Sequence, residues 1–131
     1  MTIEEFIRAR LDEDERAVVA ASVEYEGETW TAAGDSVNTI TVSNIAATVE
    51  KTYSQGVAEH IARHDPARVL RQVAMVRAMM RHAEEAGSLD MTVENDRSVG
   101  PRTWPYIDDL MRRDIAAIWC DHPDYRPEWA A

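Results

Sequence analysis

The chain is poor in cysteine, glycine and lysine, and it has no long apolar run. Its single cysteine cannot form an internal disulfide, which fits a reducing compartment, so we expect a cytoplasmic protein. The five glycines are scattered singly, which excludes a glycine-rich phosphate loop. No run of about 18 apolar residues occurs, and the acidic N-terminus lacks the basic and apolar regions of a signal peptide. We therefore expect neither a membrane span nor a secretory leader.

What the chain has is acidic charge, unevenly distributed. Its 131 residues, 45% of them hydrophobic, suit one domain, and the formal net charge is −10. That balance argues against a generic nucleic-acid binder, because phosphate binding needs basic charge. Residues 1–28 carry −6, residues 63–83 carry +4 and residues 84–96 carry −5. The central arginines either pair with the acidic first helix and loop or meet an acidic partner or phosphate. These arginines are Arg68, Arg71, Arg77 and Arg81.

The first half of the chain predicts a helix followed by a small sheet. Thr2 and Glu5 form a capping box, and an apolar stripe predicts a helix over residues 1–22. Residues 23–50 are rich in β-branched and aromatic side chains, which favours an antiparallel meander of two or three strands. Gly34 and Asp35 suit a two-residue hairpin turn, and residues 43–44 suit a weaker second turn. A bulge at Gly27 would place Trp30 on the same face as Val23 and Tyr25.

The second half predicts three helices, over residues 54–64, 66–86 and 104–120. Asp65 and Pro66 suit the cap and first position of the long helix, and Gly87 suits its stop. Leu89, Met91 and Val93 alternate within the next loop, which allows a short strand. Residues 121–131 form an irregular tail whose Tyr125 and Trp129 we expect to pack back on the domain. The predicted fold is a single α+β domain over residues 1–131, with the helices packed on one face of the meander.

His60 and His64 are the most specific candidate for a metal site in the sequence. At positions i and i+4 of a helix, two imidazoles share a face and can bind one divalent metal ion. Cys120 and His122 would complete a four-ligand site if they lay nearby. The alternative is structural, with His60 on the helix surface and His64 closing the helix. Cys120 ends an apolar helix, so we expect it in the core.

Other catalytic signatures are missing, which favours a protein without enzymatic activity. There is no Gly-x-Ser-x-Gly elbow, and no pair of carboxylates stands out from the acidic background. We expect no cofactor, apart from the divalent metal that the histidine pair leaves open. Aromatic anchors and segregated charge instead suggest a surface for a protein partner. The candidates are Trp104, Tyr125, Arg126, Trp129, Arg71, Arg77 and Arg81.

Three segments resemble a family of small uncharacterised proteins from actinobacteria and their bacteriophages. They are residues 3–15, residues 59–71 with their paired histidines, and residues 121–129. The chain departs from that family in its middle. Many members have a Pro-Gly-Pro-Trp turn at the position of residues 26–30, which are Glu-Gly-Glu-Thr-Trp in this chain. Many also have Cys-Pro before the last helix, at the position of Trp104 and Pro105. If those cysteines bind metal in relatives, this chain lacks a ligand. The resemblance implies a lineage and no mechanism.

These observations leave three hypotheses for the function. The first is a cytoplasmic accessory protein, encoded by a phage or its host, that binds another protein. The second is a metal-binding protein or metal-dependent enzyme that uses His60 and His64. The third is an acidic mimic of nucleic acid directed against a host defence nuclease, which the mixed charge of the chain disfavours. The sequence leaves the oligomeric state open.

Overall fold

A computed structural model describes residues 1–24, 27–41, 45–93 and 104–130, with the backbone alone for residues 86–93 and 104–108. These residues form four α-helices and a three-stranded antiparallel sheet, which confirms the predicted α+β class. The elements are α1 (Ile3–Glu24), β1 (Trp30–Ala33), β2 (Ser36–Ile40), β3 (Ala46–Lys51), α2 (Gln55–Arg63), α3 (Pro66–Val93) and α4 (Trp104–Ala116), with 3-10 turns at Ala117–Trp119 and Pro127–Trp129. Within the described ranges, no helix has the length and apolar content needed to cross a membrane.

The chain divides into two compact units. One, the sheet unit, comprises residues 12–73 and contains the three strands and α2. The other, the helical unit, comprises residues 1–11 and 74–131 and contains α4 and the C-terminal tail. The prediction of one domain over residues 1–131 stays a prediction.

The sheet unit is built on the predicted hairpin. Gly34 and Asp35 join β1 to β2, and Gly34 has a φ of 62°. Glycine takes this left-handed conformation without a Cβ clash, which is what a two-residue hairpin turn requires. β2 lies between β1 and β3, and its pairing with β3 is irregular between Val37 and Asn38. The second predicted turn, at residues 43–44, lies outside the described residues.

Gly27 does not form the predicted bulge. α1 continues through Val23, which is therefore helical and exposed instead of lying on a strand, because one β-branched residue costs a helix little. The Gly27 N–H donates to the Ser22 carbonyl at 3.1 Å, just after the helix ends. A Cβ on Gly27 would collide with Thr39 Oγ1 and would lie 3.0 Å from the Ile40 carbonyl oxygen, so a side chain at this position would force β2 to shift. Tyr25 lies outside the described residues.

The junction between α2 and α3 is fixed by capping side chains. Ser54 caps α2, and the buried Ala58 lies on a helix that packs against β1 and β2. Asp65 is buried, and its Oδ1 accepts the Arg68 N–H at 2.8 Å while Oδ2 accepts the Trp30 N–H at 3.3 Å. One carboxylate therefore caps α3 and also holds the start of β1.

α3 is longer than the sequence predicts. It continues beyond the expected end at residue 86 to Val93, so Gly87 does not stop it. The segment with Leu89, Met91 and Val93 is helical and not a strand. A single glycine costs a helix about 1 kcal/mol, and the next proline comes only at Pro101, so nothing nearby forces the helix to end.

The helical unit buries residues from three helices, and its first turn is closed by the predicted capping box. The buried apolar side chains are Phe6, Ile7, Leu11, Val76, Met80, Ile115 and Ala116. The Thr2 N–H donates to Glu5 Oε2 at 2.7 Å, and the Glu5 N–H donates to Thr2 Oγ1 at 3.2 Å. The bond from the Thr2 backbone holds the pKa of Glu5 below its usual range, because it stabilises the carboxylate.

The last predicted helix ends early. α4 stops at Ala116 and passes into a 3-10 turn, which changes the spacing from 3.6 residues per turn to about 3. Ile118, which follows the end of α4, is exposed. Cys120 is exposed too, which corrects the prediction that it lies in the core.

Candidate functional site

The C-terminal segment, residues 120–130, is irregular but closely folded. Successive turns bond the Tyr125 N–H to the His122 carbonyl and the Trp129 N–H to the Arg126 carbonyl, both at 2.9 Å. Pro127 begins the last 3-10 turn, where its fixed φ and missing N–H are tolerated. The turns bring the aromatic side chains of the segment to one side.

Phe6 of α1 is the centre of the aromatic contacts. Its ring is fully buried and lies 5.8 Å from His122, 5.9 Å from Tyr125 and 5.0 Å from Trp129, measured between ring centroids. Tyr125 and Trp129 also meet each other edge to face, at 5.7 Å. Both are half-buried, as the sequence predicts for side chains that pack back on the fold. Each keeps part of its surface accessible to a partner.

A buried arginine fixes the same segment. Arg10 is 5% exposed, and its Nη1 donates to His122 Nδ1 at 2.9 Å. The Asp124 N–H donates to the same nitrogen at 3.1 Å, and Arg10 Nη1 lies 3.5 Å from Asp124 Oδ2. A guanidinium only donates, so His122 Nδ1 is the acceptor and the ring proton lies on Nε2. The Arg10 charge is thereby satisfied inside the fold.

Arg126 is the cation that this segment presents outward. Its guanidinium lies over the Trp129 ring, 5.6 Å from the centroid, and its side chain is 48% exposed. Glu128 Oε1 lies 3.9 Å from Arg126 Nη1 and is itself largely exposed. The segment therefore offers a stacked arginine and tryptophan beside a carboxylate. Of the other anchor proposed from the sequence, Trp104, only the backbone is described.

The arginines of α3 lie in different surroundings. Arg71 and Arg81 are exposed and make no ion pair with any residue that the structure describes, whereas Arg77 is half-buried and has polar contacts. Within the helical unit, Arg8 of α1 forms an ion pair with Glu84 of α3 at 2.5 Å. The expected pairing of the α3 arginines with the acidic first helix stays a prediction.

His60 and His64 lie together at the end of α2. Their ring centroids are 4.6 Å apart, and both side chains are exposed. His64 Nδ1 lies 2.9 Å from the His60 carbonyl oxygen, which can only accept, so Nδ1 carries the proton. Among the described residues, no three His, Cys, Asp or Glu side chains are grouped to hold a metal ion. Metal binding by the pair stays a prediction, and in the part of the chain that the structure describes no group of three ligands joins it to Cys120 or His122.

Sequence reasoning missed Arg10 and Phe6 as the residues that position the C-terminal segment. The apolar stripe of the first predicted helix includes Phe6, but nothing in the sequence indicates which side chains contact it. Arg10 lies four positions after Phe6 and next to Leu11, so it falls on the buried side of the helix. A charged residue inside an apolar stripe is the signal that would have identified it.

The whole chain matches one protein family. A model described as a family of unknown function (DUF6221) matches residues 1–131, so the chain belongs to that family. No curated protein and no solved structure matches it.

Proposed function

We propose that this member of the DUF6221 family acts by binding another protein through its C-terminal segment, without catalysing a reaction. The proposal rests on the contacts of the C-terminal segment with Arg10 and Phe6, which fix it in one conformation. Irregular surface segments are usually mobile, yet this one is held by a buried guanidinium and a fully buried phenylalanine ring. Its outer side carries Arg126 stacked on Trp129.

The exposed side chains of the segment indicate which groups a partner would present to it. Arginine and tryptophan are among the side chains that most often dominate binding energy at protein interfaces. Arg126 suits a carboxylate of the partner, which its planar guanidinium binds through two parallel hydrogen bonds. The accessible part of Trp129 suits an apolar side chain beside that carboxylate. We place this complex in the cytoplasm of an actinobacterium, with the gene carried by the bacterium or by its phage.

The test is capture from a lysate of the organism that carries the gene, with the wild type and two charge-matched variants. Arg126→Gln removes the outward guanidinium, and Arg81→Gln removes an exposed guanidinium of α3 in the same helical unit. We expect a protein that the wild type and Arg81→Gln retain and that Arg126→Gln loses. Its affinity for Arg126→Gln, measured with purified components, should fall at least about tenfold.

Two outcomes contradict the proposal. If Arg126→Gln captures the same proteins as the wild type with the same affinity, the C-terminal segment is not the binding surface. If Arg81→Gln loses the captured protein while Arg126→Gln keeps it, the arginines of α3 bind the partner. Circular dichroism of each variant serves as the control for a retained fold.

A further inference from the structure

We infer that His60 and His64 form a surface site for one divalent transition-metal ion, bound through the two imidazole rings. His60 lies in the last turn of α2 and His64 is its C-cap, and their ring centroids are 4.6 Å apart. Each ring is exposed, so an ion can reach both without an opening of the fold. The inference is independent of the C-terminal segment, because both histidines lie in the sheet unit.

The hydrogen bond of His64 prepares it as a ligand. Its Nδ1 donates to the His60 carbonyl oxygen at 2.9 Å, so Nε2 has the free lone pair. Histidines that bind metals commonly donate their other ring N–H to a carbonyl or carboxylate, which fixes the tautomer and the ring orientation. The same bond restricts the rotation of the His64 ring. His60 lies on the preceding turn of the helix, and no hydrogen bond joins its ring to a described residue.

The helix that holds the pair is itself fixed. Ser54 accepts the Val57 N–H at the start of α2, and the buried Asp65 caps the helix that follows. α2 also packs against β1 and β2. The backbone separation of the two histidines is therefore set by the fold, and only side-chain rotation remains to be fixed when the ion binds.

The rings are close enough to share one ion. Two imidazole nitrogens bound to one ion at about 2.0–2.1 Å place their ring centroids about 4.5–5.2 Å apart, for angles between a right angle and the tetrahedral angle. The observed centroid distance of 4.6 Å lies in that range. Among the divalent transition metals, Cu²⁺ binds nitrogen ligands most tightly. Water completes the coordination of the ion.

The charges nearby predict moderate affinity. Glu59 precedes His60 in the sequence and adds negative charge, but its Oε1 accepts the Gln55 amide at 2.7 Å. Arg68 donates to the Arg63 carbonyl at 3.0 Å, so a cation already lies at the C-terminal end of α2. Because affinity along the divalent series is highest for Cu²⁺, we expect the site to bind Cu²⁺ more tightly than Ni²⁺ or Zn²⁺.

The experiment is a titration of the full chain, prepared without a histidine tag and with Cys120→Ser in every variant so that the exposed thiol neither binds nor reduces the metal, with CuCl₂, NiCl₂ and ZnCl₂ in separate calorimetric runs. Electron paramagnetic resonance of the Cu²⁺ complex reports the number of nitrogen ligands. The variants are His60→Gln and His64→Gln, and His82→Gln is the matched control. His82 is an exposed histidine on a helix, 3.6 Å from Glu85 Oε2. Circular dichroism confirms that each variant folds.

We expect one saturable Cu²⁺ site with two nitrogen ligands, weakened at least about tenfold by His60→Gln and by His64→Gln and unchanged by His82→Gln. Binding of Cu²⁺ should also raise the Tm of the wild type and leave that of His60→Gln unchanged, because only the folded state holds the pair together. No saturable binding below about 1 mM would overturn the inference. So would an affinity that His60→Gln or His64→Gln leaves at the wild-type value.

Discussion

Replacing His122 with alanine tests whether the C-terminal segment is fixed in the way described. His122 Nδ1 accepts the Arg10 guanidinium at 2.9 Å, and its ring lies 5.8 Å from the buried Phe6 ring. A hydrogen bond from a charged donor contributes about 1.5–3 kcal/mol, and an edge-to-face aromatic contact about 0.5–1.5 kcal/mol. His122→Ala removes both. Asp124 Oδ2 stays 3.5 Å from Arg10 and offsets part of the loss.

We expect His122→Ala to lower the free energy of unfolding by about 2–4 kcal/mol, measured by urea denaturation. For a chain of this length the corresponding fall in Tm is roughly 8–15 °C. His82→Ala is the control, because the His82 side chain is 75% exposed and surface substitutions usually change stability by less than about 0.5 kcal/mol. If the two variants unfold at the same urea concentration, the role assigned to His122 is refuted.

A double-mutant cycle separates the hydrogen bond from the packing. Arg10→Met keeps the apolar part of the side chain and removes the guanidinium. Combined with His122→Ala, it should be non-additive by about 1 kcal/mol or more, because the residues are in contact and share the bond. Additivity within about 0.3–0.5 kcal/mol would show that the two side chains are not coupled.

Three further substitutions test the local structure. In urea denaturation, Gly34→Val should lower the free energy of unfolding by about 1–2 kcal/mol, and Gly34→Asn should lower it by less. Gly34 has a φ of 62° and a Cβ there would meet no other atom within 4 Å, so the left-handed backbone conformation is the only source of strain. Equal effects of the two substitutions would contradict this reason. By the same assay, Asp65→Ala should lower the free energy of unfolding by about 2 kcal/mol, because it removes the α3 cap and leaves the Trp30 N–H without its acceptor. A change below about 0.5 kcal/mol would refute the role assigned to Asp65. Glu5→Gln should be less stable than the wild type at neutral pH. The pKa of Glu5 is lowered in the fold, so its contribution is present above the unfolded value of 4.5 and disappears as pH falls through the folded value. The difference in Tm should therefore shrink towards low pH, and a constant difference would contradict the cause given.

The sequence predicts the elements that local signals control and misses those that distant contacts control. The capping box at Thr2, the Gly34 turn and the Asp65 cap are all present, because each depends on residues a few positions apart. The bulge predicted at Gly27 is wrong because glycine is needed there for the contact with Thr39 of β2, which no local pattern reveals. The end of α3 was misplaced because glycine lowers helix stability without forcing an end.

The candidate site shows the same division. The packing of Tyr125 and Trp129 follows from their apolar surface and was predicted, but their partner on α1 was not. The hydrogen bond between Arg10 and His122 joins residues 112 positions apart, and the sequence does not indicate that these two side chains meet. The i, i+4 spacing of His60 and His64 did predict that the rings meet. Which tautomer His64 adopts follows only from the position of the His60 carbonyl.

Site-specific photo-crosslinking tests the proposed function most directly. A photoreactive amino acid replaces the exposed Glu128, two residues from Arg126, and in a second variant it replaces Met75, which is 57% exposed on α3 of the same helical unit. In a lysate of the native organism, irradiation should join the captured protein to position 128 and not to position 75. An adduct at position 75 with none at position 128, or no adduct at either position, would contradict binding through the C-terminal segment.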